Sequence, residues 1–169
     1  AFDEAYEALI TQLRHADAGH TAPVVGESLP QFILPDHHGH LVKLESLIGE
    51  GPVVISFNRG HWCEYCDLEL RAFAAAHAEF ARHGACVVSI MPDRLEYIRL
   101  VSERSNHAFL VLCDMDNSYA MELGLVVWLG ARVRELLAGA GLSIEKMQGN
   151  ESWFVPIPAT FVLDRKGTI

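Results

Sequence analysis

The chain has 169 residues, half of them apolar and 21% charged, with a formal net charge of −9. That length fits one domain able to bury its own core, and the acidic balance excludes nucleic acid and an anionic membrane surface as partners. No apolar run approaches the ~20 residues of a membrane span, no signal-peptide pattern opens the chain, and four cysteines do not make a disulfide scaffold.

Residues 2–17 carry Phe2, Ala5, Tyr6, Leu9, Ile10 and Leu13 at helical spacing, with Asp3, Glu4 and Glu7 suited to a helix N-terminus. Residues 1–20 are therefore expected to hold an amphipathic accessory helix, lying on the domain or on a partner subunit. Residues 21–169 form the domain itself. Thr21 to Pro30 reads as a linker. Phe32-Ile33-Leu34 and Leu41-Val42-Lys43-Leu44 flank a Gly-containing turn and read as a short hairpin. His37, His38 and His40 in that turn are read as solvated rather than metal-binding, because adjacent histidines on a short turn point apart and no acidic or cysteine partner is evident.

The most informative stretch runs from Val53 to Leu70. Val53 to Phe57 is a β-branched apolar run and predicts a buried strand. A polar turn with Gly60 follows, then Cys63-Glu64-Tyr65-Cys66. A long helical pattern comes next, with Leu68, Leu70, Phe73, Ala76 and Phe80 at its apolar positions. This order places both cysteines in the first helical turn, where unpaired backbone N–H groups and the positive end of the dipole favour a thiolate. A cysteine pKa of ~8.5 falls by one to several units in such a site. Redox chemistry fits the pair better than structural zinc, which needs four ligands; no second Cys-x-x-Cys or His-x-x-x-His pair is present. Two inert buried cysteines would leave their place at a helix start beside Trp62 unexplained. The motif requires no cofactor and no metal, and it suits a reducing compartment, hence the cytoplasm.

Ala85 to Ile90 predicts a second buried strand, ended by Pro92-Asp93 and followed by a helix over 94–105. Phe109 to Leu112 predicts a third, followed by a helix over 118–123. Cys86 and Cys113 lie in these runs and read as buried packing. Residues 129–139 predict a short helix stopped by Gly139 and Gly141, and Trp128 and Met147 read as core or edge packing. Pro156 and Pro158 precede an apolar strand that ends in the turn Asp164-Arg165-Lys166-Gly167. A further strand begins at the last residues, so a C-terminal segment beyond Ile169 is expected.

Strands alternating with helices before a closing hairpin give an α/β three-layer domain. Trp62-Cys63-Glu64-Tyr65-Cys66 after a buried strand, with Ile157-Pro158-Ala159-Thr160 before a late one, resembles the thioredoxin fold: a central mixed sheet flanked by helices, here extended by the N-terminal helix and hairpin. Arg59-Gly60-His61-Trp62-Cys63-Glu64-Tyr65-Cys66-Asp67-Leu68-Glu69-Leu70-Arg71-Ala72-Phe73 is similar to the Arg-Gly-x-Trp-Cys-Pro-x-Cys-Asn-x-x-Leu-Arg-Ala-Leu signature of the peroxiredoxin-like branch of the alkyl hydroperoxide reductase C/thiol-specific antioxidant (AhpC/TSA) family. The resemblance runs from about residue 22 to the end.

It implies a thiol-dependent oxidoreductase that reduces hydroperoxides through a dithiol/disulfide cycle of Cys63 and Cys66. An external dithiol donor, thioredoxin- or glutaredoxin-like, reopens the disulfide. Protein disulfide reduction and non-enzymatic redox sensing are the alternatives. Laid on peroxiredoxins, Cys66 takes the peroxidatic place, with Cys63 where threonine and Arg59 where proline stand. The arginine expected near Pro158 is absent. Laid on thioredoxin, Cys63 is the nucleophile, Cys66 resolves, Pro158 takes the place of the facing cis-proline, and Phe57 replaces the buried aspartate. Which sulfur attacks stays open at this point, because Glu64 opposes a thiolate while Arg59 and the helix terminus favour it. Arg59, His61, Trp62 and Pro158 are the substrate-side candidates, and a homodimer through the N-terminal helix is compatible with the family.

Overall fold

The computed structural model describes residues 2–169. An amphipathic helix, α1 (Phe2–His15), comes first, as its apolar spacing predicts. Strands β1 (Ile33–Pro35) and β2 (Leu41–Lys43) pair antiparallel with Ile33 opposite Lys43. Their turn passes through Gly39 at a φ of +86°, a conformation that costs glycine little. Leu44, expected to end the second strand, instead starts the short helix α2 (Leu44–Glu50) and buries itself in the core. The segment read as a linker is tied down, since Ser28 bridges Thr168 antiparallel.

The βα alternation then follows: β3 (Val53–Phe57), α3 (Glu64–Ala75), α4 (His77–Arg82), β4 (Cys86–Met91), α5 (Leu95–Arg104) and β5 (Leu110–Cys113). After a 3₁₀ turn at Met115–Asn117 come α6 (Ser118–Glu122), β6 (Val126–Trp128), α7 (Gly130–Gly139), α8 (Ile144–Gln148), β7 (Phe154–Pro156) and β8 (Ala159–Leu163). The central sheet has the order β5-β4-β3-β8. β3, β4 and β5 run parallel, and β8 runs antiparallel against β3 with Phe57 opposite Ala159. All five residues of β3 are buried, as an unbroken apolar run in the middle of such a sheet must be. A mixed sheet with helices on its faces, an N-terminal helix and a hairpin is the architecture expected from the sequence.

The differences are local. The predicted long helix after Cys66 breaks at Ala76 into α3 and α4. Leu68 is 65% exposed while Leu70 is buried, because residues two apart cannot share a helix face. β6 and β7, three residues each, pair Trp128 with Phe154 outside the main sheet and are too short to show a period. The Ile157–Pro158 bond is trans, so the cis geometry carried by the thioredoxin likeness is absent here. Among the described residues no helix is long and apolar enough to cross a membrane.

Three apolar clusters hold these layers together. One joins the hairpin and α6 to one face of the sheet, and a second joins Leu70 of α3 and Ile98 of α5 to the other. The third lies off the sheet: Ala5 of α1 meets Val133 and Leu137 of α7, Trp153 and Val155. Tyr6, Leu9 and Trp62 pack against it, which brings α1 up to the end of the sheet where β3 hands over to α3.

Candidate active site

The connection from β3 to α3 is held from beneath by polar contacts. Asn58 is fully buried and donates through Nδ2 to the Ser56 carbonyl, to Ser56 Oγ and to Ser89 Oγ at 3.0–3.1 Å. Ser56 Oγ in turn donates to Glu69 Oε2 at 2.9 Å, and Thr160 Oγ1 donates to Glu69 Oε1 at 3.0 Å. One carboxylate of α3 therefore clamps the helix to β3 and β8 together.

From above, the loop is held by Asp93. Its Oδ2 accepts the backbone N–H of His61 at 2.6 Å and lies 2.7 Å from His61 Nδ1. The imidazole stacks on Tyr97 with centroids 4.5 Å apart. His61 is thus packed and oriented rather than loose in solvent. Gly60 makes the tight turn possible: its φ is +144°, and a Cβ there would meet Trp62 Nε1 at 2.5 Å and Asp93 Oδ1 at 2.8 Å. Sequence reading did not single out Asp93 or Tyr97 as site residues, although a signal existed. Pro92-Asp93 follows β4, the parallel neighbour of β3, and the C-terminal ends of adjacent parallel strands converge.

This scaffold presents Cys63 as the N-cap of α3, in extended backbone, with Cys66 on the first helical turn. Cys63 Sγ accepts a hydrogen bond from Arg59 Nη2 at 3.1 Å and another from the Cys66 backbone N–H at 3.4 Å. The Cys66 thiol, the backbone N–H and the Arg59 guanidinium all favour negative charge on this sulfur and hold its pKa down to about 6, against the opposing effect of burial. The Cys66 thiol is pushed well up, first because it donates its proton to Cys63 and then by burial. One sulfur is thus set up as a thiolate and the other as its hydrogen-bond donor. The groups that shift Cys63 most are Cys66 and Arg59, and both favour its charged form.

Arg59 also lies over Trp62, its guanidinium carbon 5.9 Å from the ring centroid. Arg59, Trp62, Cys63, Glu64 and Tyr65 form one side of a cleft of about 730 Å³. Arg59 and Trp62 thus meet Cys63, whereas His61 turns to Asp93. Pro158 is exposed one residue before Ala159, which pairs with Phe57, and lies outside the residues that line the cleft. The thioredoxin relay position is filled by Phe57, fully buried among aromatic rings.

In the histidine turn His38 and His40 are exposed, as their solvated reading has it, and His37 is not. Asp36 accepts the backbone N–H groups of His38 and His40 at 2.8 and 2.9 Å, and His37 is buried against the ring of His107 at 5.8 Å. Among the described residues no group of three or more histidine, cysteine or acidic side chains is placed to hold a metal ion.

The family described as AhpC/TSA matches residues 25–169 of this chain. A Helicobacter pylori protein named as a peroxiredoxin, bcp, is 33% identical over 57% of this chain and 62% of its own length. Its Coxiella burnetii namesake is 26% identical over 61% of this chain and 68% of its own. The chain thus spans about two thirds of the length of these curated relatives. Among solved structures, the peroxidoxin BcpB from Mycobacterium tuberculosis superposes with a TM-score of 0.67 at 23% identity, covering 85% of this chain and 80% of that one.

Proposed function

The chain belongs to the AhpC/TSA family, and on that footing we propose that it is a thiol-dependent peroxidase whose redox centre is the Cys63–Cys66 pair. The observation that carries this reading is the Cys63 sulfur, which accepts hydrogen bonds from Arg59 and from the N-terminus of α3 while the Cys66 thiol stands beside it. The names of the Helicobacter pylori and Coxiella burnetii relatives and of the Mycobacterium tuberculosis structure support the peroxide direction of the chemistry over plain disulfide exchange.

The Cys63 thiolate attacks the distal oxygen of a hydroperoxide. The O–O bond breaks, the leaving alkoxide or hydroxide takes a proton from solvent, and Cys63 becomes a sulfenic acid. Arg59, already on the sulfur, holds the negative charge as it passes to oxygen. The Cys66 sulfur then attacks the Cys63 sulfur, water leaves with the thiol's proton, and the disulfide closes. An external dithiol of the thioredoxin or glutaredoxin kind supplies two electrons and two protons to reopen it. His61 acts as a positioning residue through Asp93, keeping the loop that carries Arg59 and Cys63 in shape.

Stopped-flow oxidation of the reduced protein by hydroperoxide, followed by tryptophan fluorescence with mass spectrometry of the product, tests the reading. Oxidation much faster than that of free cysteine, ending in a Cys63–Cys66 disulfide, is the expected result. Oxidation no faster than a free thiol, in a protein that exchanges readily with small disulfides, would make it a disulfide reductase instead.

A further inference from the structure

The cleft over Cys63 has a second side that the family match includes only in part. It is built by Phe2, Asp3, Tyr6 and Ile10 of α1, with Leu137 and Leu142 behind them, whereas the matched residues begin at 25. Phe2, Tyr6 and Ile10 stand at i, i+4 and i+8, so they form one strip along the helix. Phe2 and Tyr6 stack with ring centroids 6.3 Å apart. α1 docks through Ala5, Tyr6 and Leu9, which join or pack against the cluster around Trp153, whereas Phe2 and Ile10 take no part in it. Phe2 and Ile10 remain 37% and 44% exposed, apolar surface that the fold does not use.

We infer that Phe2, Tyr6 and Ile10 are specificity-determining residues of the Cys63 site, forming the wall against which the apolar body of a bulky, uncharged organic hydroperoxide lies. This rests on the peroxidase reading. A cleft of about 730 Å³ with aromatic and aliphatic walls is the size of an organic ligand site, and hydrogen peroxide has no apolar surface to place in it. Charge narrows the class further. The cation in the cleft, Arg59, is engaged with Cys63, and the other charged lining residues are the acids Asp3 and Glu64. A carboxylate on the substrate would meet repulsion there, in a chain of net charge −9. Tyr6 lines the cleft together with Arg59 and Cys63, and burial raises the pKa of its phenol.

The test is the ratio of rate constants for Cys63 oxidation by cumene hydroperoxide and by hydrogen peroxide, in the wild type and in Phe2→Ala/Ile10→Ala. Both side chains are partly exposed, so the double variant is expected to fold, and circular dichroism with the hydrogen peroxide rate reports whether it has. The ratio should fall about tenfold in the double variant. In the wild type the methyl ester of a fatty-acid hydroperoxide should react faster than the ionised acid. A ratio unchanged within twofold overturns the proposal and leaves the peroxidase reading standing. That includes the case in which only reduction by a dithiol protein slows, which would make the strip a docking surface for the donor. An ester no faster than its acid overturns the assignment of an uncharged substrate. If neither hydroperoxide oxidises the wild type faster than a free thiol, the peroxidase reading fails first.

Discussion

Cys63 and Cys113 are buried to the same degree, 3% and 2% exposed, yet their thiols are driven in opposite directions. Cys63 sits past the end of β3 at a helix start, where a thiol, a backbone N–H and a guanidinium bring its pKa down to about 6. Cys113 closes β5, where burial and the carboxylates of Asp114, Asp93 and Asp116 push it up to about 11. Burial alone therefore does not decide whether a cysteine of this protein is reactive. The neighbouring donors and charges do. Asp93 takes part in both regions: its Oδ2 pins the loop that carries Cys63, while its charge helps keep Cys113 a thiol.

The contrast can be broken at Cys63 itself. Cys63→Ser should lower peroxide oxidation by a factor of about 10³ or more, to the level of the strand cysteines, as read by stopped-flow fluorescence. Cys66→Ser should abolish turnover with a dithiol donor while the first oxidation still occurs, stopping at a Cys63 sulfenic acid that dimedone traps and mass spectrometry localises.

Removing the cation moves Cys63 part of the way toward the strand cysteines. Arg59→Gln should slow oxidation about tenfold at pH 6.5 and less at pH 8.5, because raising the Cys63 pKa costs thiolate mainly near neutrality. Gly60→Ala acts through geometry. At a φ of +144° with Trp62 and Asp93 in the way, it should cost about 1–3 kcal/mol of stability, measured by urea unfolding, and loosen the hold on Cys63. At the other end of the scale, Cys113→Ala should leave the Cys63 oxidation rate within about twofold, since its inertness rests on its own surroundings.

Much of this arrangement was legible in the chain. The apolar run at Val53–Phe57, the Cys-x-x-Cys and the helical pattern after it place both sulfurs at a helix N-terminus. Local order in sequence is enough for that. What was not legible depends on approach across the fold. Arg59 could be named from its neighbourhood, but only its 3.1 Å contact makes it a partner of Cys63 rather than of Glu64. Asp93 is far from the motif in sequence and the parallel sheet brings it in, while Glu69 lies within the motif but meets its partners Ser56 and Thr160 only through the fold. Tyr6 was legible as one apolar position of an amphipathic helix. That it belongs to the wall over Cys63 follows from the docking of α1 on α7. Pro158 was carried over as a facing cis-proline, but its peptide bond is trans and it lies outside the cleft lining, and three-residue strands such as β6 and β7 carry too few positions to show an alternation.

The central claim is that Cys63, and not Cys66, is the thiolate near neutral pH. It is tested most directly by the pH dependence of iodoacetamide alkylation of the reduced protein, with the modified residue identified by mass spectrometry. Cys63 should be the first residue alkylated. Its rate should be level above neutrality and fall about tenfold per unit once the pH drops below its pKa of about 6, as protonation removes the thiolate. Cys66, held as a thiol, should add no second rise in that range. First modification at Cys66, or a Cys63 profile still climbing above pH 8, would contradict the account.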